Sequence, residues 1–98
     1  MVENAALLAK IEDWRKRIAS VDARVARIAT NINTAKADGR WAAAEAAEAA
    51  GNPLPFQSTF LARKYMAEAE EQQQRIHAAA AAWFAAKNID PATYDIEI

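Results

Sequence analysis

The sequence predicts an all-α protein, an antiparallel and coiled-coil-like helical hairpin with a long first helix, a second helix and a short C-terminal tail. Three observations support this fold class. Apolar residues recur at alternating spacings of four and three along residues 7–35, which is the heptad pattern of packed helices. Only two glycines and three prolines interrupt 98 residues. Alanine, the strongest helix former, supplies 27 of those residues.

The first helix carries a continuous heptad seam. A helix with such a stripe and a charged opposite face buries the stripe against another helix. The sequence therefore predicts a long helix with a helical partner. The seam consists of Ile11, Ile18, Val25 and Ile32 at the a positions and of Leu7, Trp14, Val21, Ile28 and Ala35 at the d positions.

The end of the first helix can be read in two ways. Asp38-Gly39 is a turn signal, but the heptad continues through it with small residues, and Gly51-Asn52-Pro53 is the stronger stop. We favour one helix over residues 3–50, in which Gly39 costs about 1 kcal/mol of helix propensity. The alternative breaks the helix at residues 38–40 and leaves a short separate helix after the break.

The rest of the chain gives local signals for a second helix and a turn. Ser58 is a suitable N-cap and Asn88 a suitable C-cap for that helix. Asp90-Pro91 predicts the start of a short turn in the tail. The predicted segments of this single domain, residues 1–98, are a connection over 51–58, a helix over 59–87 and a tail over 88–98.

Antiparallel pairing across the connection predicts which residues face each other. If Ala50 lies opposite Ser58, the second helix ends opposite Val21. About the first 18 residues of the chain then lack a helical partner over this helix length, and their apolar seam must be covered. Either the tail, whose residues 94–98 alternate apolar and acidic side chains, or a second protein chain would cover it.

The side chains capable of catalysis or metal binding do not form a recognisable motif. The chain has no cysteine and one histidine, His77. The carboxylates of Glu12 and Asp13 are adjacent on a helix and so point to different sides. Glycine-rich phosphate loops and activated nucleophiles are absent from the sequence. We therefore predict no enzymatic activity, no cofactor and no metal.

The net charge of −1 is divided unevenly along the chain. Residues 10–40 hold eight basic and four acidic residues, whereas residues 41–98 hold four basic and eight acidic ones. Lys10, Arg17 and Arg24 recur every seven residues beside the seam, where charges select coiled-coil partners. The same row could follow phosphates, but it lacks interleaved aromatic residues, so nucleic acid is the least favoured partner.

No apolar run approaches the roughly 20 residues that span a bilayer, and the first residues do not resemble a signal peptide. We therefore expect no membrane association, and a location in the cytoplasm or within a larger particle such as a virion. The sequence favours a structural, assembly or adaptor protein that packs against itself or against another helical protein. The alternative is a small inhibitor that blocks another protein, with Trp14 as the anchor. The predicted interaction residues are Leu7, Lys10, Ile11, Trp14, Arg17, Ile18, Arg24, Tyr94, Ile96 and Ile98.

Overall fold

A computed structural model describes residues 2–55 and 57–98, with side chains described from residue 4 onwards. All regular structure in these residues is helical, which confirms the all-α fold class. The elements are the helices α1 (Val2–Ala37), α2 (Arg40–Ala49) and α3 (Thr59–Ala86), followed by a short 3-10 helix (Pro91–Tyr94).

The first helix ends before Gly39, so the favoured prediction of one helix over residues 3–50 is wrong. Gly39 has a φ of 84°, a left-handed conformation that costs glycine little and would strain other residues. Its N–H donates to the carbonyl of Lys36 at 3.3 Å, which closes α1. The Asp38 carboxylate accepts the N–H of Arg40 at 3.2 Å, which helps α2 to start. Local capping therefore prevails over the continuing heptad.

The predicted boundaries of the second helix agree with α3 to within one residue. The Ser58 hydroxyl accepts the N–H of Leu61 at 3.1 Å, as an N-cap does. At the other end Asn88 has a φ of 56°, and the Ile89 N–H donates to the Phe84 carbonyl at 3.0 Å. This is the bond of a Schellman motif. Asp90 caps the 3-10 helix by accepting the N–H of Ala92 at 3.0 Å, also as predicted.

The chain divides into two compact units, which we call unit 1 (Met1–Ala23 with Glu71–Ile98) and unit 2 (Arg24–Glu70). Unit 1 has a core in which α1, α3 and the tail meet, and half-buried apolar side chains surround it. The buried residues are Ile11, Ile18, Ala80, Phe84 and Ile96, and those around them are Leu7, Trp14, Ile76, Trp83, Ile89 and Tyr94.

The predicted helix register is wrong in unit 1. The prediction leaves about 18 residues without a helical partner, yet Ile11 and Ile18 share their core with Ala80 and Phe84 of α3. Asp22 contacts His77, whereas the prediction places it opposite residue 86. The register assumed an uninterrupted helix from residue 3 to residue 50, and the break at Gly39 removes that assumption.

Unit 2 contains α2, the adjoining parts of α1 and α3, and the connection between α2 and α3. Its buried residues within the described part of the chain are small, namely Ala44, Thr59 and Ala69. Arg63 and Glu45 form an exposed ion pair at 3.4 Å between α3 and α2. Among the described residues, unit 2 therefore buries smaller side chains than unit 1, in which Phe84 is 1% exposed.

Candidate interaction surfaces

Unit 1 contains a polar cluster between α1 and α3. One carboxylate oxygen of Asp22 accepts a hydrogen bond from Gln73 Nε2 at 2.9 Å and lies 2.7 Å from His77 Nε2. Partial burial raises the pKa of Asp22, but the hydrogen bonds from Gln73 and His77 and the charge of His77 outweigh it and lower the pKa. His77 donates to Asp22 only when Nε2 carries a proton. The cluster aligns the two helices.

No group of three or more His, Cys, Asp or Glu side chains within the described residues could hold a metal ion. The interaction between His77 and Asp22 was not predicted from the sequence. Gln73, which interrupts the apolar face of α3, has a direct partner here. Its role is to bind the Asp22 carboxylate, which explains a polar residue at that position.

The apolar residues predicted to bind a partner lie mostly inside unit 1. Ile11, Ile18 and Ile96 are at most 6% exposed, so another protein cannot reach them while the tail is in place. The half-buried residues Leu7, Trp14 and Tyr94 pack against the same core. Of the predicted apolar set, Ile98 is the one that stays largely exposed, at 43%. The tail thus covers the seam, which is one of the two covers that the sequence suggested.

Trp14 combines a packed ring with an unsatisfied polar atom. The Arg17 guanidinium lies 5.1 Å from the ring centroid, at the range of a cation–π contact. The indole Nε1 is buried and has no hydrogen-bond partner. Trp14 therefore packs as part of the core.

The predicted basic row is largely engaged within the chain. Arg17 pairs with Asp13 at 3.3 Å and Arg24 is half-buried with a partner of its own. Lys10 is exposed. These positions do not present three equivalent cations to a nucleic acid, and the row's role in binding stays a prediction.

The tail meets α1 through both polar and apolar contacts. The Arg15 guanidinium donates a hydrogen bond to the backbone carbonyl of Tyr94, and it also pairs with Glu12 at 3.0 Å. Beside this contact lies a cavity of about 290 Å³. Its lining residues are Arg15, Ile18, Ala19, Asp22, Asp95, Ile96 and Glu97.

Unit 2 contains an open cleft of about 290 Å³, which lies near the lower limit of ligand-pocket volumes. Apolar side chains form most of its wall, and Trp41 stands beside it with Lys36 and Arg63 at 5.4 and 5.3 Å from the ring centroid. The lining residues are Ile28, Asn31, Ile32, Ala35, Arg40, Trp41, Ala44, Gln57, Ser58, Thr59, Ala62 and Tyr65.

Large apolar side chains are exposed in the same unit. Leu54, Phe60, Leu61 and Tyr65 are 38%, 70%, 43% and 51% exposed. We call these four residues the unit 2 apolar surface. This surface was not predicted from the sequence, because Phe60 and Tyr65 lie within the predicted second helix, and spacing alone does not show which of its side chains stay exposed.

Glu48 of α2 holds the first turn of α3 beside the cleft. Its carboxylate accepts the Thr59 N–H at 2.9 Å and also binds the Thr59 hydroxyl. The hydroxyl hydrogen bond lowers the pKa of Glu48, burial raises it, and the backbone N–H of Thr59, the charge of Arg63 and the N–H of Phe60 lower it further. A carboxylate at a helix N-terminus satisfies free N–H groups and the helix dipole. Glu48 therefore fixes the position from which Phe60 and Leu61 project.

Comparisons with protein-family models, with curated proteins and with solved structures give no match to this chain. In the described part of the chain, the helices lack the combination of length and apolar character needed to cross a bilayer. The function must therefore be argued from the two units and the surfaces described above.

Proposed function

We propose that this chain is a non-enzymatic assembly or adaptor protein that acts by helix packing, in a coiled-coil-like antiparallel hairpin, on a second copy of itself or on another helical protein. The observation that carries the proposal is the unit 2 apolar surface next to the open cleft. Isolated exposed apolar residues are ordinary on a protein surface. Here four of them fall within residues 54–65 of one unit, and large exposed apolar areas are typical of interaction sites.

The spacing on α3 suits a helical partner. Leu61 and Tyr65 are four residues apart, so they lie on one side of the helix. Tyr65 also lines the cleft, so the unit 2 apolar surface and the cleft adjoin at this residue. A side chain of a partner helix that entered the cleft would pack between Ile28 and Ile32 of α1 and Ala62 of α3. This is the knob-and-hole arrangement of packed helices.

The size of the chain permits an interface of ordinary dimensions. A specific interface buries about 800 Å² on each partner. The total accessible surface of the chain is 6931 Å², so such an interface would take about one ninth of it. Aromatic residues such as Phe60 and Tyr65 are enriched among the residues that dominate binding energy.

Light scattering after size-exclusion chromatography of the full chain tests the proposal, over a concentration series. We expect a discrete oligomer that dissociates in the Leu61→Ser variant, which places a hydroxyl within the apolar surface. Leu8→Ser is the matched control, because Leu8 is 52% exposed in unit 1 and its change should leave the oligomer intact. A monomer at all concentrations, or equal effects of the two variants, would contradict self-association through unit 2.

A further inference from the structure

We propose that the C-terminal residues 89–98 form an exchangeable strap, and that the α1 surface beneath it binds acidic, apolar peptide segments of the same type from another protein. The strap is defined as this segment, Ile89 to Ile98. The proposal concerns unit 1 alone and goes beyond the assembly function proposed for unit 2. It follows from the way in which the strap is held.

A separate peptide could make most of the contacts that hold the strap in place. Ile96 is 5% exposed within the core formed with Ile11 and Ile18, and Ile89 and Tyr94 of the strap pack against the same core. Arg15 binds the carbonyl of Tyr94, and any peptide backbone offers such a carbonyl. An incoming segment with similarly spaced apolar residues and a free carbonyl could make the same contacts.

Charge complementarity sets the chemistry of the partner. The strap has three acidic residues, Asp90, Asp95 and Glu97, and no basic one. Asp95 and Glu97 line the same cavity as Arg15. A segment with alternating acidic and apolar residues therefore fits this surface better than a basic one, because complementary charges favour correct partners.

Asp22, the third acidic residue at the cavity, remains compatible with an acidic partner segment. Asp22 also lines the cavity, but one of its oxygens is bound to Gln73 and lies next to His77. These contacts hold the Asp22 carboxylate towards α3. Arg15 is the cation that lines the cavity and binds the strap backbone.

Two features beside the strap leave room for a different segment. The cavity of about 290 Å³ next to Ile96 is open at the protein surface, so an incoming segment has access to it. Trp14 Nε1 is buried without an acceptor among the described residues. A different segment could fill the cavity and accept the indole hydrogen bond.

The test measures binding of a fluorescein-labelled peptide with the sequence of residues 88–98, NIDPATYDIEI, to the full-length chain by fluorescence anisotropy. The Ile96→Ala variant loosens the internal strap, and we expect it to bind the peptide at least tenfold more tightly than the unmodified chain. Adding Arg15→Ala should weaken that binding at least fivefold. Lys16→Ala is the matched control, because Lys16 is exposed on the same helix and should have little effect.

A second peptide, in which the residues equivalent to Asp95 and Glu97 are lysine, tests the charge requirement. We expect it to bind at least tenfold more weakly, and the difference should shrink at high salt. Equal binding of the two peptides would overturn the acidic specificity. Equal binding to the unmodified and Ile96→Ala chains, with circular dichroism unchanged, would show that the strap is a permanent part of the core.

Hydrogen exchange of the unmodified chain keeps the proposal testable if Ile96→Ala fails to fold. The Ile96 N–H donates to the Pro91 carbonyl at 3.1 Å within the strap. We expect this amide to exchange at least tenfold faster than those at the centre of α3, because an exchangeable strap opens without global unfolding. Equal protection would contradict the proposal.

Discussion

Phe84→Ala should destabilise this protein more than any other single truncation of an apolar side chain in unit 1. Phe84 is 1% exposed and is the largest fully buried side chain in the described residues. Its ring meets that of Trp83 edge-on, with centroids 5.0 Å apart and planes at 88°. Its carbonyl also closes the Schellman motif at the end of α3. Truncation leaves a cavity where α1, α3 and the strap meet.

The expected cost is large compared with the total stability. Truncation of a buried phenylalanine to alanine costs about 3–5 kcal/mol, of which about 0.5–1.5 kcal/mol is the lost aromatic contact with Trp83. A domain of 98 residues is expected to have a free energy of unfolding of about 5–15 kcal/mol. The melting temperature should therefore fall by at least about 12 °C, at about 4 °C for each kcal/mol.

Phe60→Ala is the matched control, because Phe60 is on the same helix but 70% exposed. We expect it to change the free energy of unfolding by no more than about 0.5 kcal/mol. Urea titrations followed by tryptophan fluorescence and by circular dichroism measure both variants, at a concentration at which each is monomeric. Similar losses in the two variants, or a loss below about 1 kcal/mol for Phe84→Ala, would refute the core assigned to unit 1.

Three further perturbations test local features of the structure. Gly39→Ala should lower the free energy of unfolding by about 1–2 kcal/mol because of the positive φ. A gain in stability of about 1 kcal/mol would instead indicate a continuous helix. Thermal melts show whether the variant is less or more stable than the unmodified chain. Asp22→Asn should remove about 0.5 kcal/mol at neutral pH. Burial raises the pKa of Asp22, but its hydrogen bonds with Gln73 and His77 hold the folded pKa below the ordinary value of 3.8, so the effect should vanish as the pH falls through this lowered pKa. Parallel urea titrations between pH 7 and pH 2 measure this, and a constant difference would contradict it. Glu48→Gln should lower the melting temperature and weaken amide protection at Thr59. The pKa of Glu48 is lowered in the folded state, so its ionised carboxylate stabilises the fold at pH values above the unfolded-state pKa, and this contribution is lost in acid. Unchanged exchange at Thr59 would exclude the cap.

Features that depend on neighbours in the sequence were predicted well. Ser58 and Asn88 bound the second helix because a hydroxyl N-cap and a left-handed asparagine satisfy helix ends with atoms only a few residues away. Asp90 and Pro91 start the 3-10 helix for the same reason. These interactions are local, so the sequence contains nearly all the information needed to recognise them.

Features that depend on contacts between distant segments were predicted less well. The heptad pattern identified Ile11 and Ile18 as buried residues, but it could not show that Ile96 of the strap covers them. It also could not decide between a continuous helix and the break at Gly39. That choice depends on a few hydrogen bonds near Asp38, whose net energies are about the same size as the cost of a helical glycine.

The candidate surfaces also have some features that the sequence shows and others that only the structure shows. The sequence identified the apolar seam of α1 and the acidic, alternating character of residues 94–98. It did not identify the unit 2 apolar surface, because Leu61 and Tyr65 look like ordinary members of a helix until the structure shows them exposed beside a cleft. Exposure depends on what every other segment leaves uncovered.

The sequence by itself determined the all-α class, the caps and the stripe of apolar residues, because helix propensity, capping and periodicity act over a few residues. Only the tertiary structure decided the partner of each stripe. The burial of Ile11 and Ile18 by α3 and the strap, and the pairing of Asp22 with Gln73 and His77, join residues more than 50 positions apart. Such contacts form only when the whole chain finds a packing that buries the most apolar surface and still satisfies the polar groups.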